Sequence, residues 1–363
     1  MDFRAIFLVL TAVVLTCQAD VYEVTAQRMS LETMPLVSSQ KGQSSFTYNY
    51  NPSYLPRYEN GQLLDGLLIR SQNSNGQPYG VGPSVISYTE ASNQGKVFDV
   101  NHVEATNISD DNVVFSSEGE AESYGVEDPR VAYRDLNETY YMFYSAVQQY
   151  PDKVVSRLAM ATTQTPLDKS SWVRHGAVFP EEKWSKSGAL LLRDDIPGSP
   201  HYLYWGDSDI TVAAASEDLT SFHNLHTFIS VRENHFDSSL VESGPPPLRL
   251  SDGNYLFIYN SARPHPSAKP GYAKQYNPGW VIIDGTDPTK ILQRAEIPLM
   301  SPVENWETGK SPELDLTPNV VFIEAAKALG DDTFLVFYGA ADSVVGVAKI
   351  TVTKSAEESW IFQ

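Results

Sequence analysis

One pattern constrains this chain more than any other: a pair of strands that recurs along its length. In "HYLYWGDSDITVAAASEDL" (201–219) an aromatic strand meets a short polar turn, then a β-branched and small-residue strand ending in Ser-x-Asp. The unit returns as "YYMFYSA" with "SRLAMATTQTPL" over 140–167, and as "NYLFIYNSA" with "GWVIIDGTDP" over 254–288. It returns again as "TFLVFYGAADSVVGVAKITV" over 333–352, and more loosely as "LLDGLLIRSQ" with "PSVISYTEAS" over 63–92. Copies spaced roughly 50–80 residues apart predict radial repetition. One such sheet cannot bury both faces by itself, whereas copies set around an axis bury one another's. The expectation is an all-β, five-bladed β-propeller, with a two-sheet sandwich as the alternative for the same strands. Small residues after the turns, at 213–215 and 340–341, fit strands crowded toward an axis. Helical periodicity is scarce, and only Glu324–Leu329 reads as a helical turn. No Pro/Gly/Ser linker divides the chain, so 20–363 is expected to be one domain, with 20–50 closing the ring.

The first nineteen residues stand apart. A basic residue in Met1–Arg4, an apolar run over Ile6–Leu15 and small residues in Cys17-Gln18-Ala19 predict a secretory signal peptide cleaved after Ala19. The run is shorter than the roughly 20 apolar residues that span a bilayer. The expected product is exported, extracellular and not a membrane protein. Cys17 is the only cysteine and leaves with the leader; the mature chain therefore has neither disulfides nor thiol catalysis. Asn107-Ile108-Ser109 and Asn137-Glu138-Thr139 are glycosylation acceptors. A net charge of −19 with no offsetting basic patch argues against nucleic acid and anionic lipid as partners. It leaves a neutral ligand such as a sugar, or bound cations.

The stretch "YGVEDPRVAYRD" (124–135) sets Glu127 and Asp128 against Pro129 and Arg130 at the start of an aromatic strand. Proline biases the residue before it toward extended backbone, so Asp128 would point into a funnel. Arg130 would then hold Glu127 or a sugar hydroxyl by a forked, charge-assisted bond. Alternatively, Glu127, Asp128 and Arg130 form a buried ion-paired cluster that closes a blade. Tyr338 and Trp205 read either as stacking platforms or as core. Asn51, before Pro52, reads as a polar contact or as a turn initiator. The seven histidines contain no His-Glu-x-x-His, and His223 and His226 lack a third ligand, so no metal is assigned. Neither Gly-x-Ser-x-Gly nor a phosphate-cradling glycine loop is present.

"GVEDPRV" resembles the signature of glycoside hydrolase family 130, the β-mannoside phosphorylases and β-mannosidases, which are five-bladed propellers. The resemblance continues through "YNYNPSY" (48–54), "GLLIRSQ" (66–72), "FDSSLVESGPPPLRLSDGNYLFIYN" (236–260), "LTPNVVF" (316–322) and "FYGAADSVVGVA" (337–348). It implies that Asp128 is the general acid of an inverting displacement, in which a nucleophile attacks the other face of the sugar. It also implies that Arg70, Arg130 and Asp342 surround the nonreducing mannose, with Asn51 and Tyr338 as further contacts. Where phosphorylases of the family tend to carry small residues before Gly-Pro-Pro-Pro, this chain has Glu242, and Leu240 stands where a lysine is common. A carboxylate gained and a cation lost favour water over phosphate, so Glu242 is the candidate general base; as a bland alternative it is a solvated loop glutamate. Lys186 and Arg157 are possible phosphate ligands, and if both line the site phosphorolysis revives. The resulting expectation is an exported inverting glycosidase acting on β-linked mannosides in an oligosaccharide or glycan, without a cofactor. Its alternatives are a phosphorylase using inorganic phosphate as co-substrate, a related furanosidase, and an inactive sugar-binding extracellular or matrix protein.

Overall fold

Runs of Val, Ile, Tyr, Phe and Thr between turn clusters give strands nearly throughout. The computed structural model describes residues 20–29, 35–37, 46–59, 61–73, 82–90, 108–267, 269, 271–310 and 316–356. The expected leader and Asn107 lie outside the described residues. Strand β1 (Asp20–Arg28) comes first. The first sheet holds β2 (Tyr48–Glu59), β3 (Gln62–Gln72), β4 (Val85–Glu90) and β5 (Val113–Phe115). The second holds β6 (Gly125–Arg134), β7 (Thr139–Gln149), β8 (Val154–Thr163) and β9 (Val173–Ala177). The third holds β10 (Ala189–Leu191), β11 (His201–Trp205), β12 (Ile210–Ala215) and β13 (Phe222–Ile229). The fourth holds β14 (Leu240–Ser243), β15 (Leu248–Arg249), β16 (Tyr255–Pro264), β17 (Lys274–Ile283) and β18 (Ile291–Arg294). The fifth holds β19 (Val321–Gly330), β20 (Thr333–Ala340) and β21 (Val344–Ala356), with β1 as its outer strand.

These sheets are the five blades of a β-propeller, and every pairing within them is antiparallel. The repeated sequence unit corresponds to the second and third strands of each blade, such as β7 with β8 and β20 with β21. The second strands are buried on both faces over most of their length, which explains their near-continuous apolar and aromatic runs. Aromatic pairs join neighbouring blades: Phe115 meets Tyr144 at 4.9 Å, Phe143 meets Phe222 at 5.7 Å and Tyr204 meets Phe257 at 4.9 Å. Each contributes about 0.5–1.5 kcal/mol beyond the area it buries.

The ring closes through β1, which pairs with β21 with Asp20 opposite Ala356 and Arg28 opposite Ala348. Arg28 then forks onto the buried Glu307, Nε to Oε1 at 2.7 Å and Nη2 to Oε2 at 2.9 Å. Glu307 belongs to a single helical turn, Asn305–Thr308, between blades four and five.

The helical turn expected at Glu324–Leu329 is strand instead, because pairing of β19 with β20 overrides the local preference of its alanines. That strand carries a register break between Ile323 and Ala325. The first strands of blades one and two are broken likewise, between Tyr50 and Pro52 and between Glu127 and Arg130. Proline has no N–H for the ladder, so Asn51-Pro52 and Asp128-Pro129 are places where pairing must lapse. A bulge re-aims the side chain at the break.

Candidate active site

Asp128 departs from the extended conformation that its proline predicts. Its φ is +51°, in the left-handed region, and Asn51 has a φ of +47°. Proline disfavours the right-handed helical region for its predecessor, and Asp and Asn tolerate the left-handed one better than other side chains. The two bulges bring the residues together: Asn51 Nδ2 donates to Asp128 Oδ1 at 2.9 Å. Arg70, from β3, donates through Nη1 to the same oxygen at 3.0 Å, and through Nη2 to Glu127 Oε1 at 2.7 Å. The Arg70 guanidinium also lies over the Tyr50 ring, 4.8 Å from its centroid, and Nε donates to Ser84 Oγ at 3.1 Å. The arginine is thus held on three sides.

From the third and fourth blades come Lys186 and Glu242. Lys186 Nζ stands 3.1 Å from Glu242 Oε1, and the Ser187 hydroxyl donates to the same oxygen. Glu242 is buried, so it is not the solvated loop residue of the bland reading. Asn51, Arg70, Asp128, Lys186, Glu242 and Asp342 all line one cavity of about 270 Å³. Asp207 and Tyr276 complete its polar wall, while Leu240, Val320 and Phe322 supply the apolar one.

The electrostatics divide the carboxyls. Burial pushes Asp128 up, but Arg70, Lys186, Arg130 and the Asn51 amide outweigh it and hold the carboxyl below its usual range. Burial raises its neighbour Glu127 despite Arg70. Burial also raises Asp342, against a bond from Thr317 and the field of Arg70. Lys186 is raised in spite of burial by Glu242, then by Asp128 and Asp207. Burial, Asp342 and Glu242 push the Tyr276 phenol up to about 12. In the free protein Asp128 is therefore ionised at neutral pH, and Asp342 holds a proton more readily.

Four expected contacts lie elsewhere. Arg130 is fully buried and ion-paired to Glu324 at 2.8 Å, so it does not reach a sugar. A forked guanidinium satisfies backbone carbonyls as readily as a ligand, and nothing in sequence distinguishes the two. Tyr338 is core: its hydroxyl donates to Glu307 Oε1 at 2.9 Å and its ring stacks on Trp306. Trp205 is buried against Phe179. Arg157 donates to the carbonyl oxygens of Ser156 and Lys183 and does not line the cavity. Asn137 is exposed, with its amide donating to Tyr141 Oη at 3.0 Å.

Asp207 was missed, although the repeat contains a signal for it. It sits in the turn after "HYLYW" as Asp342 sits in the turn after "FLVFYGA", so the shared turn is the signal; an ungapped alignment on Gly206 and Gly339 pairs Asp342 with Asp209, two residues further on. Tyr276 has no such signal, because it lies in the third strand of its blade among other aromatic positions.

A family model for glycoside hydrolase family 130, described as beta-1,4-mannooligosaccharide phosphorylase, matches residues 85–357. A 1,2-beta-oligomannan phosphorylase of Thermoanaerobacter sp. (strain X514) is 33% identical over 239 residues, covering 66% of this chain and 72% of the relative. A beta-1,2-mannobiose phosphorylase of the same organism is 30% identical over 244 residues, covering 67% and 72%. One similar solved structure is described as showing that the GH130 family of mannoside phosphorylases contains glycoside hydrolases that target β-1,2 mannosidic linkages in Candida mannan. It superposes with a TM-score of 0.68 at 25% identity, over 89% of this chain and 93% of the other.

Proposed function

The chain belongs to glycoside hydrolase family 130, and from that premise we propose that it cleaves β-linked mannosides by an inverting displacement with water as the nucleophile. The observation that carries the choice of water is the Lys186–Glu242 pair on the cavity wall. A lysine placed to hold phosphate is already neutralised by a carboxylate. Four carboxylate side chains line the cavity (Asp128, Asp207, Glu242, Asp342) against two cations, Arg70 and Lys186. Each negative charge about 4 Å from an entering anion opposes it by roughly 4 kcal/mol at an effective dielectric of 20. Water meets no such barrier, and a carboxylate beside it accepts its proton. In this reading Asp128 protonates the leaving oxygen and Glu242 activates the water. Asn51, Arg70 and Asp342 bind the mannosyl hydroxyls.

A second reading has its own support. The curated relatives are phosphorylases, and on that comparison alone phosphorolysis is the better-backed outcome. Arg70 and Lys186 would hold the phosphate once Glu242 released the lysine. Export, on the leader-like first nineteen residues, and glycosylation at Asn137 belong to the same proposal.

The deciding experiment incubates the protein with β-1,2- and β-1,4-mannobiose, with and without phosphate, and follows the products by NMR. Release of α-mannose as the first anomer at a rate independent of phosphate is expected. Phosphate-dependent α-mannose 1-phosphate rejects hydrolysis in favour of phosphorolysis. Sugar binding without turnover, unchanged in Asp128→Asn, rejects both in favour of a binding protein. Glu242→Gln is expected to lower hydrolysis about 10²–10⁴-fold; retained or improved use of phosphate by that variant would count against water.

A further inference from the structure

The mechanism leaves the buried Arg130–Glu324 pair without a task, and its bonds are unusually distributed. Arg130 Nη1 donates to the carbonyl oxygen of Asp128 at 3.0 Å. Its Nε donates to Gly244 O at 3.1 Å, and Nη2 to Ser243 O at 2.8 Å and to Glu324 Oε1 at 2.8 Å. One planar fork therefore spans the backbone of the proposed acid in blade two and that of the two residues after the proposed base in blade four. Glu324, at the bulge of β19, adds blade five. Both side chains of the pair have 0% exposure, so neither can touch a sugar.

The far ends of the fork are themselves fixed. A Cβ on Gly244 would stand 2.3 Å from Ile258 O, so this segment lies hard against β16. Asn260, directly opposite Glu242 in the ladder, bonds both backbone groups of Ile323, accepting from N at 2.7 Å and donating to O at 2.8 Å. From Asp128 to Glu242 there is thus a continuous path of short bonds through Arg130, with Glu324 and Asn260 holding its third corner.

Building on the reading above, we infer that Arg130 and Glu324 are positioning residues that set the placement of Asp128 relative to Glu242. The guanidinium is suited to this because its donors diverge in one rigid plane, whereas a lysine ammonium offers a single mobile point. Inverting enzymes need their two carboxyls at a separation of roughly 6.5–9.5 Å, so that water fits between sugar and base. A misplacement of about 1 Å costs on the order of 100-fold in rate. The bulge of β6 puts Asp128 on the cavity wall, regular pairing of β14 puts Glu242 there, and the fork fixes how far apart they stand.

The test uses the full chain with Arg130→Lys and with Glu324→Gln, each first checked for folding by thermal unfolding. Arg130→Lys is expected to lower kcat on mannobiose about 100-fold with KM within about threefold. Its ligand-free crystal structure is expected to show the Asp128 and Glu242 carboxyls shifted relative to each other by about 1 Å. Glu324→Gln keeps an acceptor for Nη2 but removes the carboxyl opposite Arg130, which burial raises well above its usual range and Arg130 draws back toward its charged form. Its kcat should fall by about 10-fold, and its pH–rate profile should move to lower pH, because the bare guanidinium favours ionised Asp128. A role confined to stability would lower the unfolding temperature and leave kcat, KM and that profile unchanged in the folded protein. Such a result, or unmoved carboxyls in the Arg130→Lys crystal, overturns the inference. Should Arg130→Lys not fold, Glu324→Gln decides. If the wild-type chain turns over no mannoside, the functional reading fails, and the crystal comparison still tests the placement separately.

Discussion

At the residue scale the site turns on where protons sit. Arg70, Lys186, Arg130 and Asn51 together overcome burial and hold Asp128 in its ionised form. A general acid must carry a proton, so its active fraction grows about tenfold for each pH unit below neutrality while it remains mostly ionised. We expect kcat/KM on mannobiose to climb as pH falls from 7. Aryl mannosides with very good leaving groups need little protonation and should lack this acid rise. Asp342, which burial pushes up, is the rival donor. Asp128→Asn and Asp342→Asn separate the two by activity on both substrate types. The acid is the residue whose loss aryl mannosides largely rescue, and equal loss on both substrates in Asp128→Asn would remove it from that role. Part of the site's geometry was legible in the chain itself: six of the residues named from sequence line one cavity. Arg130 and Tyr338 were misread for a physical reason. A side chain with strong hydrogen-bonding capacity reads the same whether it satisfies a ligand or the protein's own backbone, and only burial decides.

At the element scale the informative structures are the first strands of the blades, where sequence was least readable. The second strands repeat because they meet the same demand, burial on both faces over most of their length. The first strands of blades one and two are bulged at an Asx-Pro pair, whereas that of blade five is bulged at Glu324 without a proline, so no single pattern marks all three. Their neighbours are shaped to suit. A Cβ on Gly339, in β20, would stand 2.2 Å from Asn51 Oδ1 and 2.9 Å from Asn51 N. Gly339→Ala should therefore displace Asn51, loosen its 2.9 Å bond to Asp128 and lower kcat. The overpacking should also cost about 1–3 kcal/mol of stability. Urea unfolding together with steady-state kinetics checks both halves; an unaffected kcat would mean that Asn51 does not help to hold the acid. The left-handed φ of Asp128 belongs at this scale too. Proline announces a local restriction, but which allowed region the residue takes depends on the strand beyond it.

At the scale of the whole molecule, five blades are held in a ring by β1 lying along β21. Arg28 bonds Glu307, whose side chain has 0% exposure, while the arginine keeps 22%. Removing the cation leaves a buried carboxylate uncompensated, so Arg28→Ala should destabilise the fold by about 3–5 kcal/mol. The measurement is the midpoint and cooperativity of urea unfolding; a loss below about 1 kcal/mol would place the closure elsewhere along the β1–β21 ladder. The number of blades was readable from the repeat, and closure by the segment 20–50 was expected; its partner strand was not readable, because a pairing between residues more than three hundred positions apart leaves no local trace. That seal has a consequence for biogenesis. The earliest strand of the propeller to be synthesised finds its partner only when the latest one appears, so for most of translation the nascent protein carries an unsatisfied edge. Ribosome-bound chains halted before residue 344 should bind strand-capturing chaperones and resist none of the proteases that the finished ring withstands.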